Sequence, residues 1–531
     1  AALGTTMQLL SAADFFAVVK RLLGNISDQD KKMAFGVFID RLPLVRSDVR
    51  TKSASAIGSI IEEASRLLLT RVDLVSVSLA AIRVVATTAL DSDDAALAQI
   101  MSKLIATVEV SKDNSNLNAA LSVIEVTLLR LGSRSIPFIK PVTDSSLRII
   151  TAPRSLASTN KQAFGTILAL IEAVPTFLGS QQLTEILRAT INHCPKDESI
   201  SISILSRIAK KVPTKTLFPV VMDLWKAVQG EDDTALISFF ELTRLTLRNA
   251  DREALPSLVK PVFAFFLEVF DLRHRLFEQG NVEVIETIEE SAIGSFLELV
   301  TKLNETTFKP LFVRLHDWAV IDLANDKVMD DPRLVERKTV LLHVMMGLLQ
   351  RFKHLLSPYL GTLLPHIEEL LPGFADGSLK NTSLWTLLLN VLGKSFEVDD
   401  GAFWTDALHL KMIPLLVGQL ALFPDLATSP VGATLASLAG STSSESVLKS
   451  LNTAVCLTTR SQDPQIRKAA LGAMDAIWEK QAEEMLQFVP ETVSEFLAEL
   501  LEDENGEVEA LARKVLARIE RSTGSLKEYL E

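Results

Sequence analysis

Six basic residues, Arg130, Arg134, Lys140, Arg148, Arg154 and Lys161, fall within one short interval that holds a single acid, Asp144. This local excess of positive charge stands out in a chain whose formal net charge is −12. Cations spaced in this way suit one kind of chemistry without a cofactor, the binding of a phosphate backbone with release of its counterions. Pro137, Pro141 and Pro153 lie in the same interval among several Ser and Thr residues, which predicts a partly looped segment able to offer backbone amides as well as cations. A second cluster, Arg207, Lys210, Lys211 and Lys215, would continue the surface if the fold aligned the two. Because the chain as a whole is acidic, any nucleic-acid contact must be local.

Residue sets that make or break bonds do not emerge. Gly393-Lys394-Ser395 resembles the end of a phosphate-binding loop, but Leu388 stands where that motif needs a glycine, so no backbone nest is expected. The seven histidines, His193, His274, His316, His343, His354, His366 and His409, never take a His-x-x-x-His or Cys/His ligand spacing, and they read as surface or seam residues. His366-Ile367-Glu368-Glu369 lacks the second histidine of a metalloprotease helix. No Gly-x-Ser-x-Gly elbow occurs. We therefore expect no catalytic residue, no cofactor, no metal and no small-molecule substrate. Cys194 and Cys456 match no disulfide or zinc framework and read as small buried thiols in a reducing compartment. The strongest candidate for an apolar span, residues 412–423, is short and interrupted by Gln419, so no membrane span is expected. Asn25, Asn304 and Asn381 sit in N-x-Ser/Thr sequons that read as chance matches.

The elements that would hold such residues are helices. Hydrophobic residues make up 48% of the chain and aromatics only 6%, a balance that favours aliphatic helix seams over a sheet core. Leu97, Ile100, Met101, Leu104, Ile105 and Val108 form one stripe, Leu117, Ala120, Leu121, Ile124, Leu128 and Leu131 the next. Asp91-Ser92-Asp93-Asp94 offers capping side chains to the first, and 112–115 forms a polar turn between them. Near the end, Ile466, Ala469, Ala470, Ala473, Met474 and Ile477 are repeated forty-two residues later by Val508, Leu511, Ala512, Val515, Leu516 and Ile519. The preceding helices match at the same offset, Leu451, Ala454 and Val455 mapping onto Val493, Phe496 and Leu497. A period of roughly 40–47 residues with two helices per unit predicts HEAT-type repeats. The fold class is all-α, an α-solenoid, which ordinarily presents surface to other molecules.

Prolines such as Pro219, Pro261, Pro310, Pro365, Pro372, Pro414 and Pro490 are expected at helix starts or ends. Composition predicts three stretches: helical repeats over 1–250, a region richer in Phe, Trp and His over 251–400, and regular repeats over 401–531. The last stretch contains a Ser/Thr-rich joint at 439–444 expected to be a flexible loop. The final repeat gathers Glu483, Glu484, Glu491, Glu495, Glu499, Glu502, Asp503, Glu504, Glu507 and Glu509. Such a face reads equally as a surface for a basic partner or as a polar cap on an open array.

Thr307-Phe308-Lys309-Pro310-Leu311-Phe312-Val313-Arg314-Leu315-His316-Asp317-Trp318-Ala319 is more specific than generic repeat sequence. It resembles the signature of the large HEAT-repeat U3 snoRNA-associated family of the small-subunit processome. The resemblance continues at Ile413-Pro414-Leu415-Leu416-Val417-Gly418-Gln419-Leu420, at Val489-Pro490-Glu491-Thr492, through Phe496 to Glu504, and at Leu526-Lys527-Glu528-Tyr529-Leu530. It implies the C-terminal portion of such a protein, in keeping with the absent initial methionine. It also implies a non-catalytic nuclear and nucleolar subunit in pre-rRNA (18S) processing, with other processome assembly factors and pre-rRNA or U3 snoRNA as partners. The family often carries longer charged loops where 374–384 is short here. A transport receptor or a phosphatase-type scaffold is the alternative for a repeat array of this kind. Within the signature, Phe308, Leu311, Phe312, Leu315 and Trp318 have core spacing. Lys309 and Arg314 are the members expected to be exposed and to meet RNA or partner, together with Arg130, Arg134, Lys140, Arg148, Arg154 and Lys161.

Overall fold

The computed structural model describes residues 10–24, 27–194, 197–230, 232–251, 253–277, 282–323, 332–423 and 429–530, and every regular element among them is helical. Asn25 lies outside the described residues. The chain divides into two compact units, residues 1–258 and 259–531.

The first unit is a series of antiparallel helix pairs. Ala12–Leu23 pairs with Asp28–Arg41, Ala54–Thr70 with Val75–Thr87, and Asp94–Val110 with Asn114–Leu131. Ile139–Ile150 then pairs with Ala157–Ala173, Ser180–His193 with Glu198–Lys211, and Thr214–Val228 with Asp233–Arg248. First helices stack on first helices and second on second, giving two layers with an apolar seam between them. The stripe from Leu97 to Val108 is buried throughout, as are Ala120, Leu121, Ile124, Leu128 and Leu131, with Leu117 half-buried. Each fully buried Leu, Ile, Val or Met among them contributes about 1.5–3 kcal/mol, which is how a repeat that touches only its neighbours holds together.

Ser11, Ser27, Asp113, Asp197 and Asp232 cap their helices by accepting a first-turn amide. The expected capping role of Asp93 and Asp94 is not what the fold makes of them. Asp93 accepts from the Leu90 amide at 2.9 Å and pairs with buried Arg50 at 3.0 Å, while Asp94 turns to the next repeat. Tertiary cations compete better for these carboxylates than a local amide does.

In the second unit the pairing is Glu305–Val320 with Pro332–Phe352, Ser357–Ala375 with Thr382–Val398, and Asp406–Val417 with Val431–Gly440. Glu445–Thr458 then pairs with Pro464–Met485, and the segment from Val489 to Leu500 with Gly506–Thr523. Val282–Thr301, whose alternating start could have been a strand, is a helix packed on Pro332–Phe352. The forty-two-residue echo holds: Ala470, Ala473, Met474 and Ile477 are buried like Ala512, Val515, Leu516 and Ile519, though Ile466 and Leu511 are only half-buried. The Ser/Thr-rich joint is a short inter-helix turn, fixed by the Ser444 amide on Thr442 Oγ1 at 3.0 Å.

Pro490 stands at a helix start as expected, but other prolines depart from that position. Pro219, Pro261, Pro310, Pro365, Pro372 and Pro414 lie inside helices. Each forfeits an intrahelical hydrogen bond, a cost that packing of both layers offsets.

Gln419, which interrupted the apolar stretch, is a buried junction. It accepts from Trp385 Nε1 at 3.0 Å and donates to the Leu371 and Leu415 carbonyls, each at 3.0 Å. Among the described residues no helix is long and apolar enough to cross a membrane.

Candidate nucleic-acid and partner interface

Antiparallel pairing gives the first unit two edges. Turns inside a pair lie along one, and turns from one pair to the next lie along the other. This division decides what the basic interval can do, because its residues are distributed between both.

Arg130 ends the Asn114–Leu131 helix, Arg134 lies in the following 3-10 turn and Lys140 opens Ile139–Ile150, so these three belong to the edge between pairs. Arg130 pairs with Asp91 at 2.7 Å and Asp94 at 2.8 Å, and Arg134 reaches Asp94 at 2.7 Å. Hydrogen bonds to Asp91 and Asp94 raise the Arg130 pKa. Two of the six cations counted along the sequence are thus neutralised by the previous repeat. Lys140 alone of the three is exposed without such a partner among the described residues.

Arg207, Lys210, Lys211 and Lys215 sit on that same edge, and they are partly neutralised as well. Lys211 and Arg207 hold Glu172 at 2.7 and 3.2 Å, and these cations keep its carboxyl below the usual range.

Arg148 falls in the last turn of Ile139–Ile150, Arg154 in the turn to the next helix, and Lys161 one turn into Ala157–Ala173. They belong to the opposite edge, inside the pair. All three are exposed, and none has an ion-pair partner among the described residues. Arg148 and Arg154 line a groove of about 530 Å³ with Glu109, Asn114, Ser155 and Thr159, between the 110–114 turn and the 150–157 turn. Lys112, which lies outside the basic interval, is exposed in the first of those turns.

In the signature helix Glu305–Val320, Phe308, Phe312, Leu315 and Trp318 are buried and Leu311 half-buried. Phe308 and Phe312 pack on Tyr359 at 5.2 and 5.1 Å, and Trp318 on Phe270 at 6.1 Å. Lys309 is exposed as expected. Arg314 is exposed too, yet it is held by Asp322 at 2.9 Å, which limits it as a contact for another molecule.

Behind this helix lies a buried ionic network that no local motif announced. Arg273 bonds Glu289 and Glu336, each at 2.6 Å, and all three are nearly excluded from solvent. Burial pushes the Glu289 carboxyl up, but His343 on its other oxygen and Arg273 outweigh that and hold it low. Arg337 forks onto Asp271 at 2.7 and 2.8 Å, reaches the Trp318 carbonyl at 3.1 Å and stacks over the Trp318 ring at 4.7 Å. Glu286, Glu289, Glu290 and His343 line a neighbouring groove of about 460 Å³. Arg273 and Glu336 stand 63 residues apart in the chain, so only the charge types, never their meeting, were visible in advance.

Gly393-Lys394-Ser395 sits inside the Thr382–Val398 helix, where Lys394 pairs with Glu397 and the Ser395 hydroxyl bonds the Leu392 carbonyl and Trp404. That geometry leaves no loop to cradle phosphate. His409 bonds Ser441 at 2.7 Å, as a seam histidine should. His366 differs: it is buried with neither ring nitrogen hydrogen-bonded, and burial, with Lys338 and His316 nearby, pulls its pKa down to about 3. Cys456 is buried and its thiol is pushed up to about 12 by burial, whereas Cys194 is half-buried.

The acidic last repeat is less open than its composition predicted. Glu499, Asp503 and Glu507 are held by Arg460 at 2.9 Å, Arg467 at 2.7 Å and Lys468 at 2.6 Å from the preceding repeat. Asp475 in turn takes Arg518, and Lys514 at 2.8 Å. These pairs run across the forty-two-residue echo and tie one repeat to the next. Glu483, Glu484, Glu495, Glu502 and Glu504 line up differently, all five being exposed.

Residues 254–404, which contain the signature helix and the Arg273 network, match the BP28CT (NUC211) domain. The chain is similar to U3 small nucleolar RNA-associated protein 10 of Mycosarcoma maydis, with 26% identity over 99% of this chain and 28% of the relative. It is also similar to HEAT repeat-containing protein 1 of Homo sapiens, with 28% identity over 80% of this chain and 20% of the relative. The chain spans about a quarter of the length of the curated relatives it matches. Among solved structures it overlaps Kap121p with a TM-score of 0.46 and 12% identity, covering 98% of this chain and 53% of that one, a likeness too low to carry an argument.

Proposed function

This chain belongs to the HEAT-repeat family of U3 small nucleolar RNA-associated proteins, and from that premise we propose that it is a non-catalytic scaffold in the small-subunit processome. In this reading it supports pre-rRNA (18S) processing in the nucleolus by holding assembly factors and RNA along helical edges. The observation that carries the proposal is the continuous two-layer array of helix pairs in each unit, with the family domain at 254–404 built into the second. Such an array offers long edges rather than a reaction chamber. Several modest contacts along them would raise the effective concentration of partners on one precursor particle.

The edge inside the pairs of the first unit, with Lys112, Arg148, Arg154 and Lys161 exposed along it, is the part we assign to RNA. Lys309 and the exposed acids of the last repeat are assigned to protein partners. Crosslinking of RNA and protein in the intact particle tests this. Recovery of pre-rRNA or U3 snoRNA on peptides spanning 110–161, with assembly factors on the second unit, is the expected result. Recovery of a transport GTPase or a phosphatase subunit, with no rRNA-processing factor, would overturn it.

A further inference from the structure

We propose that the groove between the 110–114 and 150–157 turns seats a single phosphodiester of an RNA strand on the N-terminus of the Ala157–Ala173 helix. The proposal rests on the scaffold reading for the choice of RNA, and on local geometry for the site itself.

A helix of seventeen residues begins here with no side-chain cap, because the N-cap position is held by Leu156, which has no acceptor to offer. Thr159 and Asn160 turn their amides back onto the Leu156 carbonyl, at 3.0 and 2.9 Å. Ala157 and Ser158 are then the amides that face outward, where the helix dipole favours an anion. Leu156 is 51% exposed, so packing does not explain its place at this position.

A second observation points the same way. Thr159, in the first turn of this helix, is only 1% exposed, its hydroxyl has no hydrogen-bond partner, and it lines the groove. A buried hydroxyl without a partner is costly unless a ligand supplies one. Arg148 and Arg154 line the same groove, and neither is paired with a carboxylate among the described residues.

Glu109 also lines the groove, where it accepts weakly from Ser145 at 3.5 Å. Two guanidinium groups against one carboxylate leave one net positive charge, matched to a phosphodiester with its single negative charge. A terminal phosphate or a phosphorylated side chain, carrying nearly two, is less well served. Lys112 on the preceding turn and Lys161 one turn farther along the helix extend the cationic surface to either side, as a strand with successive phosphates requires.

The test uses the full purified chain and a fluorescein-labelled single-stranded oligouridylate, followed by anisotropy over a salt series. Leu156→Asp places a carboxylate on the first-turn amides. It should weaken binding by about tenfold or more while leaving the melting temperature unchanged or raised, since the new residue caps the helix. Arg148→Gln with Arg154→Gln should weaken binding and reduce the salt slope by about 0.7 for each phosphate no longer neutralised. Thr159→Val should weaken binding by roughly two- to tenfold with the slope unchanged, because it removes a hydrogen bond and no charge.

Unchanged affinity in Leu156→Asp, or in Thr159→Val if the former fails to fold, would overturn the site. So would a phosphoserine peptide that competes as well as the oligouridylate. The functional reading is scored separately by co-sedimentation with pre-ribosomal particles. Wild-type chain that binds oligouridylate but never associates with particles would sink that reading and leave the groove standing.

Discussion

Two grooves of similar size, about 530 Å³ in the first unit and about 460 Å³ in the second, are lined by opposite charges. Arg148 and Arg154 border the first, with no carboxylate bound to them among the described residues. Glu286, Glu289 and Glu290 border the second, and Glu289 shares the buried Arg273 with Glu336. In one region the cations remain available to a ligand, and in the other they are consumed in stitching helices together. Charge in a repeat protein thus has two uses, and only pairing across repeats tells them apart. The first unit applies both, since its buried Arg50–Asp93 pair and the Arg130–Asp94 bridge are structural, while Arg148 and Arg154 are not.

The contrast can be broken most severely at Arg273. Arg273→Met leaves Glu289 and Glu336 buried without their cation and should destabilise the second unit by about 3–5 kcal/mol, measured by denaturant unfolding. Adding Glu289→Gln and Glu336→Gln should recover much of the loss. If the single variant unfolds like wild type, the network is not structural.

Gln419→Leu comes next. It orphans the buried Trp385 indole N–H and should cost about 1–3 kcal/mol, with a change in tryptophan fluorescence to mark the site. A neutral result would show that the seam can repack around the missing acceptor.

His366 adds a pH dependence to the second unit alone. The folded state holds its imidazole neutral, with the pKa pulled down to about 3, whereas the unfolded chain takes up a proton near the ordinary value of 6.5. The unfolded state therefore binds more protons between those values, so stability is complete above about pH 6.5 and falls as pH drops toward 3. The steepest slope from this group is about 1.4 kcal/mol per pH unit. His366→Leu should flatten the profile over that window, as read by denaturation midpoints from pH 7 to pH 4.

The smallest effect sharpens the comparison from the other side. Arg130→Gln with Arg134→Gln removes partly exposed ion pairs and should cost less than about 1 kcal/mol. It should leave oligouridylate affinity unchanged, since both side chains are engaged by Asp91 and Asp94. A drop comparable to that of Arg148→Gln with Arg154→Gln would erase the distinction between the two edges.

Much of the fold was legible because helical stripes are local. Leu97 to Val108 and Ala470 to Ile477 declare a buried face within a few turns, and their recurrence declares a repeat. The signature helix was legible for the same reason, down to buried Trp318 and exposed Lys309. Interior prolines were misplaced, because a rule of local cost says nothing about the packing that offsets it. The basic interval was half legible. Its residues were found, but chain order set Arg130 beside Arg148 although antiparallel pairing puts them at opposite edges. Leu156 and Thr159 carried a faint signal, an apolar residue where a cap belongs, which becomes readable only once the start of the helix is known.

The sequence by itself determined the helical class, the repeat period, the seam residues and the family resemblance. These depend on the spacing of side chains along one helix and on words shared with relatives. Only the tertiary structure decided which charges are free. Coulombic pairing acts through space, and Asp94 meets Arg130 and Arg134, as Glu289 meets Arg273 and His343, across distances in sequence that no local pattern encodes.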